Sequence, residues 1–240
     1  MKKQIKVGLL GASGKMGKHL QELIVNHPDY NNDYQLVFAC SGPNDPRFAL
    51  IESYTPDVLI DFSAPPATLK MAKLCAQLKV PMLICTTGFS ATQLTQLKKL
   101  FRKVPYAIVP NTSLGVYVFR GAIMQAAKQL PSDYAIEIVE THHKDKKDAP
   151  SGTAKMLAES ICQASGRTHV PIHSLRGGSE VGEHRVIFLG PDEKMECVHK
   201  AQDRSLFAHG AIRLARTLCE QRAKPHGVAY TGEDLFARSL

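Results

Sequence analysis

The sequence predicts an α/β chain in two parts: a parallel sheet wrapped by helices, then a smaller α+β part. Three observations predict this. Short apolar runs alternate with helical patterns through the first 112 residues. A glycine-rich turn joins the first run to the first helix. Beyond Thr112 the pattern changes to strands joined by turns around two helices. At 240 residues and 44% hydrophobic composition, the chain can bury a substantial core.

The elements follow in order. Ile5 to Leu10 (IKVGLL) is a short apolar run, after which Met16, Leu20, Leu23 and Ile24 recur at helical spacing until Pro28. Strand-like runs follow at YQLVFAC (34–40), VLIDFS (58–63), PMLICTTG (81–88) and YAIVPN (106–111). Between the later ones lie PPATLKMAKLCAQLK, with proline at its start, and ATQLTQLKKLFRK, with Leu94, Leu97 and Phe101 on one face. Buried continuous strands separated by helices make a parallel sheet covered on both faces. A helical segment from Leu114 to Leu130 then leads to YAIEIVET, where Tyr134, Ile136 and Ile138 alternate with Ala135, Glu137 and Val139. A helix from Gly152 to Ala164 follows. The segment from His173 to Asp203 reads as strands joined by turns, with GPDE as a hairpin. Ser205 to Ala223 is helical, with Phe207, Ala211, Leu214, Ala215 and Leu218 on one side, and is expected to return to the first part.

Bulk properties exclude several classes. No window approaches eighteen uninterrupted apolar residues, and MKKQIKVGLLGASG lacks the pattern of a signal peptide, so the expected location is the cytoplasm and no membrane partner is expected. The net charge of +8 and pI near 9.2 raise the question of nucleic acid. The basic residues are spread along the chain without a run of five, and tryptophan is absent, so attraction of small anions is the better use of the charge. The six cysteines form no C-x-x-C pair, so they read as buried free thiols, not a disulfide framework or a zinc site.

The turn after the first strand is Gly11-Ala12-Ser13-Gly14-Lys15-Met16-Gly17, a G-x-x-G-x-x-G variant between a strand and a helix. Glycines there let the backbone approach a pyrophosphate, whose charge meets the helix N-terminus. Dinucleotide binding is the reading. The acid that would hold the adenosine ribose belongs near the end of the second strand, where Cys40 and Ser41 stand. With no carboxylate there, Ser41 as donor, and Lys15 or Arg47 as counter-charges, the expectation is NADPH or use of both NADPH and NADH.

The stretch ETHHKDKKDAPSGTA (140–154) permits three readings. As a metal site it offers His142, His143, Asp145 and Asp148, but adjacent histidines on extended backbone diverge and no H-E-x-x-H exists. As a charge run it is a solvated loop. As a catalytic loop it places an imidazole beside lysines, a pairing suited to proton transfer near neutral pH. Ser151, Gly152 and Thr153 open a helix, so their N–H groups and hydroxyls form an anion cradle. The P-loop motif G-x-x-x-x-G-K-[ST] and the G-x-S-x-G nucleophile elbow are both absent.

This stretch resembles the E-x-H-H-x-x-K-x-D-A-P-S-G-T-A signature of the 4-hydroxy-tetrahydrodipicolinate (dihydrodipicolinate) reductase family. GASGKMG, Asp61-Phe62-Ser63, Thr86-Thr87-Gly88, Pro110 to Gly115, Arg176-Gly177-Gly178 and Val181 to His184 match further landmarks in order. The resemblance implies a Rossmann-like dinucleotide-binding domain (1–112 and 209–240) and an α+β substrate-binding and oligomerisation domain (113–208). It implies NAD(P)H-dependent reduction of a cyclic dicarboxylate, with loss of water, by a homotetramer. His142 would be the proton donor or acceptor and Lys146 a second proton donor. His143 would contact substrate, and Gly152 with Thr153 would bind a carboxylate, beside the Ser151 read above as part of the cradle. Gly11 to Met16, Cys85, Thr86, Thr87, Val109, Pro110, Asn111 and Thr112 would line the cofactor, together with the Ser41 read above as a donor at the end of the second strand. Cys85 departs from the family, which often has glycine before T-T-G. A different reductase of amino-acid-derived acids would share the first domain but lack the H-H-x-x-K…S-G-T loop.

Overall fold

The computed structural model describes residues 3–221 and 228–239 and separates into two compact units, one of residues 1–113 with 205–240 and one of residues 114–204. The first holds a six-stranded sheet. Strands β1 (Ile5–Leu10), β2 (Tyr34–Cys40), β3 (Val58–Asp61), β4 (Met82–Ile84), β5 (Tyr106–Ile108) and β10 (Ala229–Tyr230) run in the order β10-β5-β4-β3-β1-β2, every pairing parallel. From β1 the chain goes outward to β2 and then crosses back to β3. The carboxyl ends of β1 and β3 therefore flank the switch point where such sheets bind ligands.

Both faces are covered. Leu59, Met82 and Ile84 pack with residues of α4 (Pro65–Leu78) and α5 (Ala91–Leu100), and Phe101 stacks on Tyr106 at 4.9 Å. Val58, Ile60 and Leu83 alternate with them and are equally buried, so they point to the opposite face. There α8 (Ser205–Glu220) packs on α1 (Lys15–Asn26), β3 and β4. The predicted return of this helix is thus realised, while residues 222–223 of the predicted span lie outside the described residues. Gly210 in α8 lies so close to Thr112 that a Cβ would overlap the Thr112 carbonyl oxygen.

The predicted strands are trimmed. β3 stops at Asp61, where the Ser63 N–H turns back to donate to the Asp61 carboxylate at 3.0 Å, and β4 and β5 are three residues each. Sequence reasoning did not find α2 (Pro28–Asn31), α3 (Ile51–Tyr54), β10 or α9 (Gly232–Ser239), all short or lying in segments dense in proline and glycine.

The second unit has a four-stranded sheet of order β7-β6-β8-β9, built from β6 (Ala135–His142), β7 (Ile172–Arg176), β8 (Gly182–Leu189) and β9 (Lys194–Ala201). β6 pairs parallel with β7 and antiparallel with β8; β8 and β9 form the predicted hairpin, closed by Gly190 N–H donating to Glu193 O at 2.9 Å. Helices α6 (Leu114–Gln129) and α7 (Gly152–Ser165) cover one face, where Ile136, Ile138, Val186 and Phe188 meet Phe119, Ile123, Leu157 and Ile161.

Candidate active site

In the first unit the candidate cofactor residues gather at the carboxyl ends of the strands. Gly11 and Ala12 N–H both donate to Cys40 O (2.9 and 3.1 Å), binding the turn to β2. Gly11 has φ +90°, and a Cβ there would overlap the Phe62 carbonyl oxygen; one at Gly17 would overlap Gly11 O. Only glycine fits either position. α1 starts after Gly14 with no capping side chain and no acid in its first turn, so its leading N–H groups lack a side-chain acceptor. Ser13, Gly14 and Lys15 are exposed. That arrangement fits a pyrophosphate at a helix N-terminus.

Cys85 is buried, its N–H donating to Asp61 O at 2.9 Å, and burial pushes its thiol well above the usual range, so it is not a reactive thiolate. Thr86 is buried and accepts Ser63 N–H at 2.9 Å, whereas Thr87 is exposed before Gly88. Fully buried Asp61 accepts hydroxyls from Ser63 and Thr68, each at 2.5 Å; burial nonetheless raises its pKa. Val109 is buried, Pro110 is exposed, and Asn111 accepts Ser113 N–H at 2.9 Å. The Thr112 hydroxyl donates to Phe207 O at 2.6 Å.

The end of β2 corrects one expectation. A carboxylate is present there after all: Asp45 folds back and accepts Ser41 N–H at 3.0 Å. Arg47 donates to it from Nε (3.0 Å) and a terminal nitrogen (2.8 Å), which holds the Asp45 carboxyl far below its ordinary range. Arg47 is therefore not a free counter-charge. The loop conformation, invisible in sequence spacing, brings the acid back four residues.

In the second unit the period of β6 aims Glu140 and His142 at the same buried face. Glu140 is fully buried and accepts from His142 Nδ1 in a very short contact, from Ser151 N–H at 3.2 Å, and from both terminal nitrogens of Arg176 at 2.7 and 2.9 Å. Burial acts most strongly and would raise its pKa. Hydrogen bonds from Arg176, Ser174, His142 and Ser151 together outweigh it and hold the carboxyl at about 2. An ionised carboxylate only accepts, so Nδ1 of His142 carries the proton and Nε2 presents its lone pair. Burial, the largest influence, lowers the His142 pKa; the hydrogen bond and charge of Glu140 oppose it, Lys146 and Arg176 add to it, and the net shift is downward. The ring is neutral at neutral pH.

After His142 the chain turns, with Lys146 N–H donating to His143 O at 3.1 Å, and His143 N–H donates to Glu180 O at 2.7 Å. Lys146 Nζ donates to Asp148 at 2.8 Å, lowering the Asp148 pKa. Ser151 caps α7, its hydroxyl accepting Ala154 N–H at 3.2 Å and meeting His184 Nε2 at 3.2 Å. Burial holds His184 neutral, with a pKa near 4. No acid stands in the first turn of α7, and a Cβ on Gly152 would meet nothing within 4 Å, so the helix start is open. His142, Lys146, Ser151, Gly152 and Thr153 thus lie on one β6–loop–α7 segment. Sequence reasoning assigned no role to Glu140, Arg176, Gly182 or His184. Glu140 was detectable, because E-x-H on a strand puts both side chains on one face. Gly182 lies where a Cβ would stand 2.9 Å from His142 Nε2, which only coordinates reveal.

Two models of one known family match the chain. The model of the dihydrodipicolinate reductase N-terminus matches residues 5–112, and that of its C-terminus matches residues 115–236. The chain belongs to the dihydrodipicolinate reductase family. Among members, the 4-hydroxy-tetrahydrodipicolinate reductase of Caldanaerobacter subterraneus is 37% identical, with 98% of this chain and 99% of that protein covered. That of Methanocorpusculum labreanum is 36% identical over 92% of this chain and 95% of its own. The dipicolinate-bound dihydrodipicolinate reductase from Paenisporosarcina sp. TG-14 has a TM-score of 0.76 at 25% identity, covering 97% of this chain and 99% of that one. A Lactobacillus plantarum myo-inositol 2-dehydrogenase shares the fold alone, with a TM-score of 0.64 at 8% identity.

Proposed function

We propose that this family member reduces 4-hydroxy-tetrahydrodipicolinate to tetrahydrodipicolinate, with loss of water, in lysine and diaminopimelate biosynthesis. The observation that carries the reading is the β6–loop–α7 segment, where a neutral imidazole, a lysine and an open helix N-terminus stand together. The Paenisporosarcina relative is named with dipicolinate, a dicarboxylate of the kind this segment suits.

When bound, the nicotinamide cofactor, NADH or NADPH, supplies the hydride. Gly11 to Met16 would hold its pyrophosphate at the uncapped start of α1, with Ser41, Cys85 to Thr87 and Val109 to Thr112 along the strand ends. Loss of water carries a proton from carbon to the departing hydroxyl, and the reduced product takes up one more. Neutral His142 can accept a proton at Nε2, and Lys146 can donate one. Gly152 and Thr153, at the positive end of α7, would hold a substrate carboxylate, with Ser151 fixing the helix start and His143 beside them.

The test is oxidation of NADPH and NADH with substrate generated from pyruvate and aspartate semialdehyde by a synthase. Synthase-dependent oxidation is expected, with KM for substrate raised about tenfold in Thr153→Ala, the size of one lost hydrogen bond to a charge. No oxidation of either cofactor would overturn the reading.

Both cofactors should serve. A 2′-phosphate at the end of β2 would meet a carboxylate already neutralised by Arg47, and a 2′-hydroxyl would find an acceptor in Asp45. Arg47→Ala is expected to lower kcat/KM for NADPH relative to NADH about tenfold. An unchanged ratio would remove the pair from cofactor choice. The open face of the second sheet, with Leu175, Leu189 and Val198 exposed, is our proposed homotetramer surface, to be tested by sedimentation velocity. Among the described residues no helix is long and apolar enough to cross a membrane, in keeping with the cytoplasmic location this reading assigns.

A further inference from the structure

We propose that Glu140 is the positioning residue of the proton-transfer site: clamped by Arg176, its buried carboxylate fixes the ring and tautomer of His142. The inference rests on the role given to His142 above.

The carboxylate is fully committed. Each oxygen takes one terminal nitrogen of Arg176, and one also takes Ser151 N–H while the other takes His142 Nδ1. With its donors all fixed in protein, Glu140 has no part in moving protons itself. What it does is dictate which nitrogen of His142 carries the proton. The groups facing His142 come from four places: Glu140 on its own strand, Arg176 on β7, His184 on β8 with its ring 5.3 Å away, and Lys146 in the following turn. Among them only Glu140 accepts from Nδ1. A buried ion pair is a weak source of stability, since apolar side chains of similar volume commonly serve as well. Its placement against the Nδ1 of an imidazole points to orientation of that imidazole.

Glu140→Gln tests this. Its amide carries one acceptor and one donor where Arg176, Ser151 and His142 all donate, so a donor is forced against a donor or the imidazole changes tautomer. In the synthase-coupled assay kcat is expected to fall about a hundredfold, while KM changes less than about threefold because Ser151 keeps its own contacts to Ala154 and His184. In a His142→Asn background the same substitution should cost less than about twofold, since a residue acting through His142 has nothing left to act on. An equal loss in both backgrounds would overturn the proposal in favour of a strand staple between β6 and β7.

Imidazole nitrogen NMR of the wild-type protein near neutral pH gives an independent readout that needs neither turnover nor a folded variant. Protonated Nδ1 with unprotonated Nε2 at His142 is expected, and the opposite tautomer overturns the proposal. If wild-type turnover is absent but the Nδ1 tautomer is found, the functional reading fails and the orientation by Glu140 stands.

Discussion

Replacing Lys146 by alanine is expected to lower kcat by about a hundredfold or more, the range of a positioned general acid, without unfolding the chain. The side chain is partly exposed and its bond is an ion pair to Asp148, which is itself exposed, so its removal leaves no buried charge. Surface pairs of this kind are worth under about 1 kcal/mol to stability. Lys146→Arg separates charge from proton: the guanidinium keeps the positive charge but does not deprotonate in proteins. Activity in the arginine variant should therefore stay close to that of the alanine variant. Turnover in Lys146→Ala within about threefold of wild type, under 1 kcal/mol of barrier, would end the assignment of this lysine.

Gly210→Ala is expected to destabilise the first unit by about 3 kcal/mol, at the top of the overpacking range. In a typical helix interior this change stabilises by about 1 kcal/mol. Here the added Cβ would overlap the carbonyl oxygen of Thr112 and stand 2.8 Å from its carbonyl carbon, backbone atoms that cannot swing aside as a side chain can. Relief requires moving α8 off the segment 109–112, which also strains the bond from the Thr112 hydroxyl to Phe207 O. A urea melt checks the stability, and cofactor titration should weaken in parallel because the same segment is assigned to the nicotinamide nucleotide. An unchanged or higher midpoint would contradict the packing described.

Legibility in the sequence followed the physics of each feature. The parallel sheet was legible because strands buried on both faces must be apolar runs, and Val58 to Ile60 is one. The glycine turn was legible because Gly11 and Gly17 answer a local backbone demand. The roles of Asp45 and Arg47 were not, since a loop that doubles back leaves no period to read. Glu140 was half legible: its spacing from His142 was in view, but its partner Arg176 lies on a parallel neighbour 36 residues away, and register between strands is not written in either strand alone. β10 and α9 were missed because two residues of strand and two turns of helix fall below what periodicity can detect.

The first unit is closed by its last segment, α8 to α9, only after residues 114–204 have been made. On a ribosome, β3 and β4 wait for the helix that covers one of their faces while about ninety residues are added, roughly 5 to 20 seconds at ordinary elongation rates. The second unit needs no such wait, because its four strands and both helices come from one uninterrupted stretch. Nascent chains of this protein therefore carry a complete four-stranded unit while the six-stranded sheet still lacks α8. The interval before Ser205 emerges is when the apolar faces of β3 and β4 lack the cover of α8.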